Sequence, residues 1–169
     1  MRTLSYIKIA LLWILLGCSN DQSNPVNTDT NKEIVKDLVR VVWNSKNLDS
    51  IDHFFSDLSP RRINNVEVSR TKKELIANIK VYLIGFPDMG LNINELLSFE
   101  GKVYMNWTIN GTNTDIFGDL PATGKKVKVS GVSIFTFDEQ GMIIYEDVFF
   151  NELSLLQQIG YQLIPPKLE

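Results

Sequence analysis

The hydrophobic and polar positions in the first half of the chain predict three helices. Apolar residues recur at helical spacing through 32–45, which indicates one broad stripe for burial. The segment 47–57 (NLDSIDHFFSD) predicts a second, short helix. A third helix is predicted over 71–86, because Thr71 and Glu74 have the spacing of a capping box and a proline follows directly.

After the third helix the hydrophobic pattern changes to strict alternation, which predicts strands. Odd-numbered apolar residues alternate with even-numbered polar ones in 102–110, and the alternation begins again at 126–130. A turn is predicted at 138–141 (DEQG), a last strand over 142–150 and a closing helix over 152–160. Helices followed by a run of antiparallel strands predict the α+β class, with the helices packed on one face of the sheet.

The inner face of this sheet is predicted to present polar side chains as well as apolar ones. Continuing the odd-inward count places Asn113 and Ser133 there, provided that no bulge intervenes. Trp107, Tyr82 and Tyr145 are candidate ligand-binding residues beside them, although large aromatic residues in alternating strands more often belong to the core. Together these five side chains form the predicted lining of a pocket.

The outer face of the predicted sheet is apolar too. Val132, Ile134, Val148 and Phe150 are predicted to point away from the helices. A face of this composition would expose a large apolar patch if nothing covered it, so we expect a homodimer through this face. The alternative is that the closing helix or the C-terminal tail covers it.

The N-terminal residues have the pattern of a bacterial lipoprotein. A basic start, a short apolar run and the letters LLGC lead to the only cysteine, Cys18, and resemble a lipobox, in which the cysteine is lipidated. We expect a signal peptide at 1–17, the lipidated cysteine and a flexible tether at 18–31, a folded domain at 32–163 and an irregular tail at 164–169. The expected location is the bacterial cell envelope, anchored in a lipid bilayer. An uncleaved membrane anchor is the alternative.

Composition argues against several classes of function. The 169 residues are 44% hydrophobic, with a formal net charge of -3 and no block of basic residues, so we expect no nucleic-acid partner. One cysteine and one histidine cannot build a disulfide within the chain or a zinc site of several such ligands, and we expect no metal or cofactor. The histidine, His53, lies in the short second helix and is expected to be structural.

Three segments carry a resemblance to a known family. VVWNSKNLDSIDHFFSD, GTNTDIFGDLPATGKKVKVSGVSIFTF and NELSLLQQIG, in this order and spacing, resemble the SnoaL-like polyketide cyclase family of the nuclear transport factor 2-like superfamily. The resemblance runs from about Lys32 to Gly160. It implies a cone-shaped α+β fold in which helices and a strongly curved, mostly antiparallel sheet enclose one deep, largely apolar pocket.

The resemblance also implies a reaction, the closure of a polyketide ring by intramolecular aldol condensation. The family pattern has a histidine after the threonine of a glycine-threonine pair, and an aspartate after a glycine-aliphatic pair on the next strand. In this chain the two positions are Asn113 and Ser133, and neither side chain titrates near neutral pH. Asp147 is the candidate catalytic base if its strand also turns odd positions inward, where desolvation would raise its pKa. Otherwise Asp147 lies on the rim or in a salt bridge with a lysine.

Three functional hypotheses follow from these observations. The leading one is a pocket that binds a small, largely apolar or carbonyl-containing ligand without the usual catalytic pair. The alternative is an enzyme of the cyclase or isomerase type that moves a proton next to a carbonyl through Asp147. The third is a plain interaction protein with a filled cavity.

Overall fold

The computed structural model describes residues 26–165, so the predicted signal peptide, Cys18 and the last four residues lie outside the described part. The elements are helix α1 (Val26–Leu38) with a π-helical turn (Val39–Asn44), a 3-10 turn (Leu48–His53), strands β1 (Leu58–Ile63) and β2 (Val66–Thr71), helix α2 (Lys72–Gly85), strands β3 (Gly90–Phe99), β4 (Lys102–Thr112), β5 (Lys126–Phe137) and β6 (Ile143–Phe150), and helix α3 (Glu152–Ile159).

The six strands form one curved sheet in the order β2-β1-β6-β5-β4-β3. Neighbouring strands are antiparallel except β1 and β6, which run parallel. Helix α1 packs against β3 and β4, α2 against β1 and β2, and α3 against β5. The predicted α+β class is confirmed, and the hydrophobic core lies between the helices and one face of this sheet.

The ends of α2 and α3 follow local signals in the sequence. Thr71 accepts a hydrogen bond from the backbone N–H of Glu74, and the Glu74 carboxylate accepts one from the backbone N–H of Thr71, which confirms the predicted capping box. Helix α3 starts after Asn151, whose side chain accepts a hydrogen bond from the Ser154 N–H at 2.8 Å. It ends at Gly160, where φ is +113° and a side chain would be strained.

Helix α1 begins at Val26, inside the segment 18–31 that the sequence predicts to be a flexible tether. Its first turns carry an ion pair between Asp29 and Lys32, with Nζ and Oδ1 2.7 Å apart. Asn31 is buried, although it is polar. Polar residues make these contacts, so the hydrophobic pattern contains no signal for the first turns.

Strands β1, β2 and β3 are not predicted by the hydrophobic pattern. Strand β1 is short, and two of the three side chains that it buries are polar, Ser59 and Arg61. Strand β3 pairs with β4 at the edge of the sheet, and an irregularity between Ile93 and Glu95 breaks its alternation. In β1 the buried positions alternate, but most of them are polar, and in β3 the alternation is interrupted. Neither β1 nor β3 therefore shows the hydrophobic period of two that identifies a half-buried strand.

The odd-inward prediction is confirmed for β4 and β5. Each odd-numbered residue of β4 lies opposite an odd-numbered residue of β5. The odd-numbered residues of both strands therefore lie on the same face of the sheet, which is the core face. The buried side chains on that face are Val103, Met105, Trp107 and Ile109 of β4, and Val127, Val129, Ser133 and Phe135 of β5.

The odd-inward prediction is wrong for most of β6, because a bulge intervenes at its start. Phe137 lies opposite Ile143, but the next residue of β5 lies opposite Tyr145, so one residue of β6 is left without a partner. The extra residue turns Tyr145 and Asp147 to the outer face. Even positions beyond the bulge face the core instead. The even positions that turn inward are Glu146, Val148 and Phe150, the last two having been predicted to point outward.

Candidate functional site

A small cavity lies between the helices and the inner face of the sheet. Its volume is about 40 Å³, room for one or two water molecules. Four polar side chains contribute to its wall: Arg61, Tyr82, Ser133 and Glu146. The rest of the wall is apolar and includes Trp43, Met105, Trp107, Ile109, Val148 and Phe150.

The centre of the polar part is an ion pair between Arg61 and Glu146. Parallel pairing of β1 with β6 places the two residues opposite each other, and both side chains point inward. Nε of Arg61 lies 3.3 Å from Oε2 of Glu146, with the side chains 5% and 6% exposed. The Arg61 guanidinium also lies 5.5 Å from the ring centroid of Trp43 and donates a hydrogen bond to Asn78.

This ion pair leaves one hydrogen-bonding group without a partner. Although Nε of Arg61 is close to Oε2 of Glu146, the two atoms do not meet in hydrogen-bond geometry, and Nε has no other partner among the described residues. Buried polar atoms without a partner are rare in native structures, because each one forgoes its hydration without compensation. The Arg61 Nε–H is therefore a donor without an acceptor, and an acceptor from outside the chain can reach it only when the surrounding side chains move apart.

The carboxyl group of Glu146 has a perturbed pKa. Burial raises this pKa above its ordinary value, while the charge of Arg61 and a hydrogen bond with Ser133 oppose the rise in part. A carboxyl group in this state binds a proton more readily than an exposed glutamate does. It is the type of group that can act as a general acid or base in an apolar cavity.

Ser133 is held in place by Trp107. The indole Nε1 donates a hydrogen bond to Oγ of Ser133 at 3.1 Å, and an indole N–H is a donor only. The Ser133 hydroxyl is therefore left to donate its own hydrogen, and it acts on the pKa of the neighbouring Glu146 carboxyl group by lowering it. Gly131 makes room for the ring, because a Cβ atom there would lie 2.4 Å from Cζ2 of Trp107.

Tyr82 brings helix α2 into the cavity wall. Burial raises the pKa of its hydroxyl group, so the group stays protonated at neutral pH. Its ring contacts Phe117 at a centroid distance of 5.3 Å, and Phe117 also packs against Phe86. Phe117 belongs to the 113–125 loop, so this loop is in contact with the cavity wall.

Asn113 is completely buried, as the sequence predicts, but it does not line the cavity. Its amide donates to the carbonyl oxygens of Gly85 and Asp115. Its Oδ1 accepts hydrogen bonds from the backbone N–H and the hydroxyl of Thr123, both at 2.9 Å. All the hydrogen-bonding capacity of the side chain is therefore used within the 113–125 loop and at the end of α2, which makes Asn113 a structural residue that joins the two.

Asp147 and Tyr145 lie on the outer face, away from the cavity. The Asp147 carboxylate accepts two hydrogen bonds from Arg62, at 2.7 and 3.0 Å, and a third from the Tyr145 hydroxyl at 3.3 Å. Arg62 stacks over the Tyr145 ring at 5.2 Å. The prediction that Asp147 is a base inside the pocket is wrong, because the bulge in β6 gives the inward position to its neighbour Glu146.

The structure thus brings together three of the predicted ligand-binding residues, Trp107, Ser133 and Tyr82. The sequence analysis misses Arg61 and Glu146. Arg61 is the middle of three inward positions in β1, but two of the three are polar, so the hydrophobic pattern gives no signal for it. For Glu146 the sequence offers no direct signal, because the bulge in β6 decides whether Glu146 or Asp147 faces the cavity.

Two further properties concern the described residues alone. Between residues 26 and 165 no group of three or more histidine, cysteine, aspartate or glutamate side chains is placed to hold a metal ion. Over the same residues, every helix is too short or too polar to cross a membrane.

Comparison with known families identifies the class of protein. The model of the SnoaL-like polyketide cyclase family matches residues 33–159, more than half of the chain. The chain therefore belongs to this family, as the resemblance of its loop and strand motifs implies. No curated protein matches it in sequence.

Solved structures confirm the fold. A candidate SnoaL-like polyketide cyclase from Jannaschia sp. CCS1 has 22% identity and a TM-score of 0.75, over 86% of this chain and 99% of that one. AclR from Streptomyces galilaeus, a candidate hydroxylase, has 23% identity and a TM-score of 0.71, over 83% and 87% of the two chains. TsrD from Streptomyces laurentii has 20% identity and a TM-score of 0.66, over 81% and 97%. At these identities the likeness concerns the fold alone.

Proposed function

We propose that the cavity binds a small, largely apolar molecule whose polar end is oriented by Arg61, Ser133 and Glu146. The observation that carries the proposal is the buried Arg61–Glu146 pair in a largely apolar wall, with Arg61 Nε unpartnered. Ligand sites typically combine apolar walls with a few polar groups that fix the orientation of the ligand. The side chains at the family's catalytic positions support binding rather than the family reaction. Asn113 uses its hydrogen bonds within the chain, and the Ser133 hydroxyl accepts a hydrogen bond from Trp107.

The size of the cavity sets a condition on this function. A volume of about 40 Å³ is far below the roughly 300–1,000 Å³ of typical ligand sites. Binding therefore requires side chains to move apart. Tyr82 and Phe150 line the cavity and remain partly exposed, so they border its mouth. We expect the 113–125 loop to move with them, because Phe117 packs on Tyr82.

Native mass spectrometry of the full chain, purified from its own host, tests the proposal. We expect a co-purifying small molecule in the native protein and its loss in Val148→Leu, because the added methylene would fill much of the cavity. Val66→Leu is the matched control, since Val66 is 64% exposed on β2. A native protein without any bound molecule, or a molecule retained equally by both variants, would contradict binding in this cavity.

A second candidate function is proton transfer next to a carbonyl group, with Glu146 as the acid or base. The raised pKa of Glu146 favours it, because such a group can hold and release a proton closer to neutral pH. We expect the α-carbon protons of a bound ketone to exchange with deuterium from the solvent, measured by NMR. Exchange should disappear in Glu146→Gln and persist in Asp147→Asn, whose carboxyl group lies on the outer face. Equal exchange in the two variants would rule out this chemistry.

We also propose that the chain is a lipoprotein of the bacterial envelope, anchored through Cys18. The LLGC motif that contains the only cysteine supports this. Metabolic labelling with a radioactive fatty acid should mark the native protein, and Cys18→Ala should lose both the label and the membrane association. Unlabelled Cys18→Ala that stays in the membrane fraction would indicate an uncleaved anchor instead.

A further inference from the structure

We propose that the Arg61–Glu146 pair selects uncharged ligands that carry a hydroxyl group at their polar end. This inference rests on the proposed binding function and names the chemical class of the ligand. It starts from the position of the pair, which with Ser133 and Tyr82 forms the polar part of a largely apolar cavity. Each of the two side chains is at least nine-tenths buried.

The charge of the ligand follows from the charge of the pair. Arg61 and Glu146 together are electrically neutral, at a distance of 3.3 Å between Nε and Oε2. A carboxylate or ammonium ligand would add an uncompensated charge to an apolar cavity, and burying an unpaired charge is strongly unfavourable. A carboxylate would also compete with Glu146 for Arg61, and an ammonium group would compete with Arg61 for Glu146. A neutral ligand leaves the pair intact.

The hydrogen-bonding groups specify a hydroxyl. The Nε–H of Arg61 lacks an acceptor, and it can donate to an oxygen of the ligand once the side chains around the cavity have moved apart. The carboxylate of Glu146 beside it has two oxygen atoms that accept hydrogen bonds, more than the single hydroxyl of Ser133 can supply. A hydroxyl group can accept from Nε and donate to the carboxylate at once, whereas a carbonyl or an ether oxygen can do only the first.

The body of the ligand contacts aromatic and aliphatic side chains. Trp43 and Trp107 present ring surfaces to the cavity, and Met105, Val148 and Phe150 complete the apolar wall. The indole N–H of Trp107 already binds Ser133, and the other polar groups of these lining residues are the indole N–H of Trp43 and the hydroxyl of Tyr82. A ligand with one hydroxyl on an apolar body, such as benzyl alcohol, therefore matches the site.

The test compares three probes of one skeleton: benzyl alcohol, benzoate and benzylamine. Isothermal titration calorimetry uses the full chain in detergent at pH 7, with a titration of detergent alone subtracted. We expect benzyl alcohol to bind at least tenfold more tightly than the two charged probes. If the three affinities agree within twofold, the selection for neutral ligands is refuted while the binding function stands. If none of the probes binds, the proposed binding function is contradicted as well.

Variants of the pair make the test specific. Glu146→Gln should reverse the preference to benzoate, because it leaves Arg61 as an unpaired buried cation. Glu95→Gln is the matched control on the exposed side of β3, and it should keep the wild-type order. If Glu146→Gln does not fold, the double variant Arg61→Met with Glu146→Met replaces it, since apolar side chains of similar volume often substitute well for a buried ion pair. In the double variant toluene should bind at least as well as benzyl alcohol, and a retained preference for the alcohol would refute the role of the pair.

Discussion

Single residues determine the chemistry of the cavity, and Glu146 is the clearest case. Its carboxyl group is buried, so its protonation is coupled to folding. Burial raises the pKa of this carboxyl group, and the charge of Arg61 and the hydrogen bond with Ser133 oppose the rise only in part. A residue of this kind gives the folded protein a dependence on pH that an exposed glutamate would not give.

The first prediction concerns that dependence. The pKa of Glu146 in the folded protein is raised above its ordinary value of 4.5. Between the two pKa values the folded state therefore holds a proton that the unfolded chain has released, and stability falls as the pH rises through this window. Glu146→Gln cannot titrate. The melting temperature of wild type minus that of Glu146→Gln should therefore decrease as the pH rises above about 4.5, in thermal melts followed by circular dichroism.

Groups other than Glu146 titrate in both proteins, so their contributions largely cancel in this difference. Asp88 and Glu74, for example, have lowered pKa values because they accept hydrogen bonds, and they lower the stability of both proteins as the pH falls. A difference in melting temperature that is constant from pH 4 to pH 8 would contradict the raised pKa of Glu146.

The second prediction concerns Gly131, where the space for a side chain is missing. A Cβ atom there would lie 2.4 Å from Cζ2 of Trp107 and 2.6 Å from the carbonyl oxygen of Phe149. Gly131→Ala should therefore destabilise the protein by about 1–3 kcal/mol, the usual cost of overpacking, in urea unfolding. It should also change the Trp107 fluorescence, because the ring must leave Ser133. Gly90→Ala is the control, since nothing lies within 4 Å of its added atom, and an equal loss in both variants would contradict the explanation.

At the level of elements, sequence reasoning succeeds where local patterns are complete. The capping box at Thr71, the alternation of β4 and β5, and the closing helix can be predicted because each signal lies within one short segment. The face of β6 cannot, since a bulge of one residue decides whether Glu146 or Asp147 turns inward. Nor can Arg61 be recognised as a site residue, because it becomes one only by pairing with a strand more than eighty residues away.

The third prediction concerns the 113–125 loop, which Asn113 organises. The side chain makes four hydrogen bonds within a fully buried site, so its removal leaves several buried partners unpaired. Each unpaired group costs about 1–3 kcal/mol, and we expect Asn113→Ala to lose at least about 3 kcal/mol in urea unfolding. Thr114→Ala, at an exposed neighbouring position, should change stability by less than about 0.5 kcal/mol. A small effect of Asn113→Ala would mean that water replaces the amide.

At the level of the whole molecule, the outer face of the sheet exposes large apolar side chains. Leu97 and Phe99 on β3 are 57% and 62% exposed, and Phe149 on β6 is 36% exposed. Arg62 and Asp147 on the same face are already joined by two hydrogen bonds. Burying this pair in an interface would therefore leave neither charge unpaired. These features support our proposal that a second copy of the chain covers this face, because a surface that exposes large apolar side chains can pair with itself around a two-fold axis.

The last prediction tests this dimer. We expect the full chain in density-matched detergent to sediment as a dimer, and the double variant Leu97→Lys with Phe99→Lys to sediment as a monomer. Four like charges brought together across a two-fold axis would oppose association, and the apolar contact would be lost as well. Ile84→Lys is the control, since Ile84 is 45% exposed on α2, on the opposite side of the sheet from the proposed contact. A wild-type monomer would exclude the dimer, and a double variant that remains dimeric would place the contact on another surface.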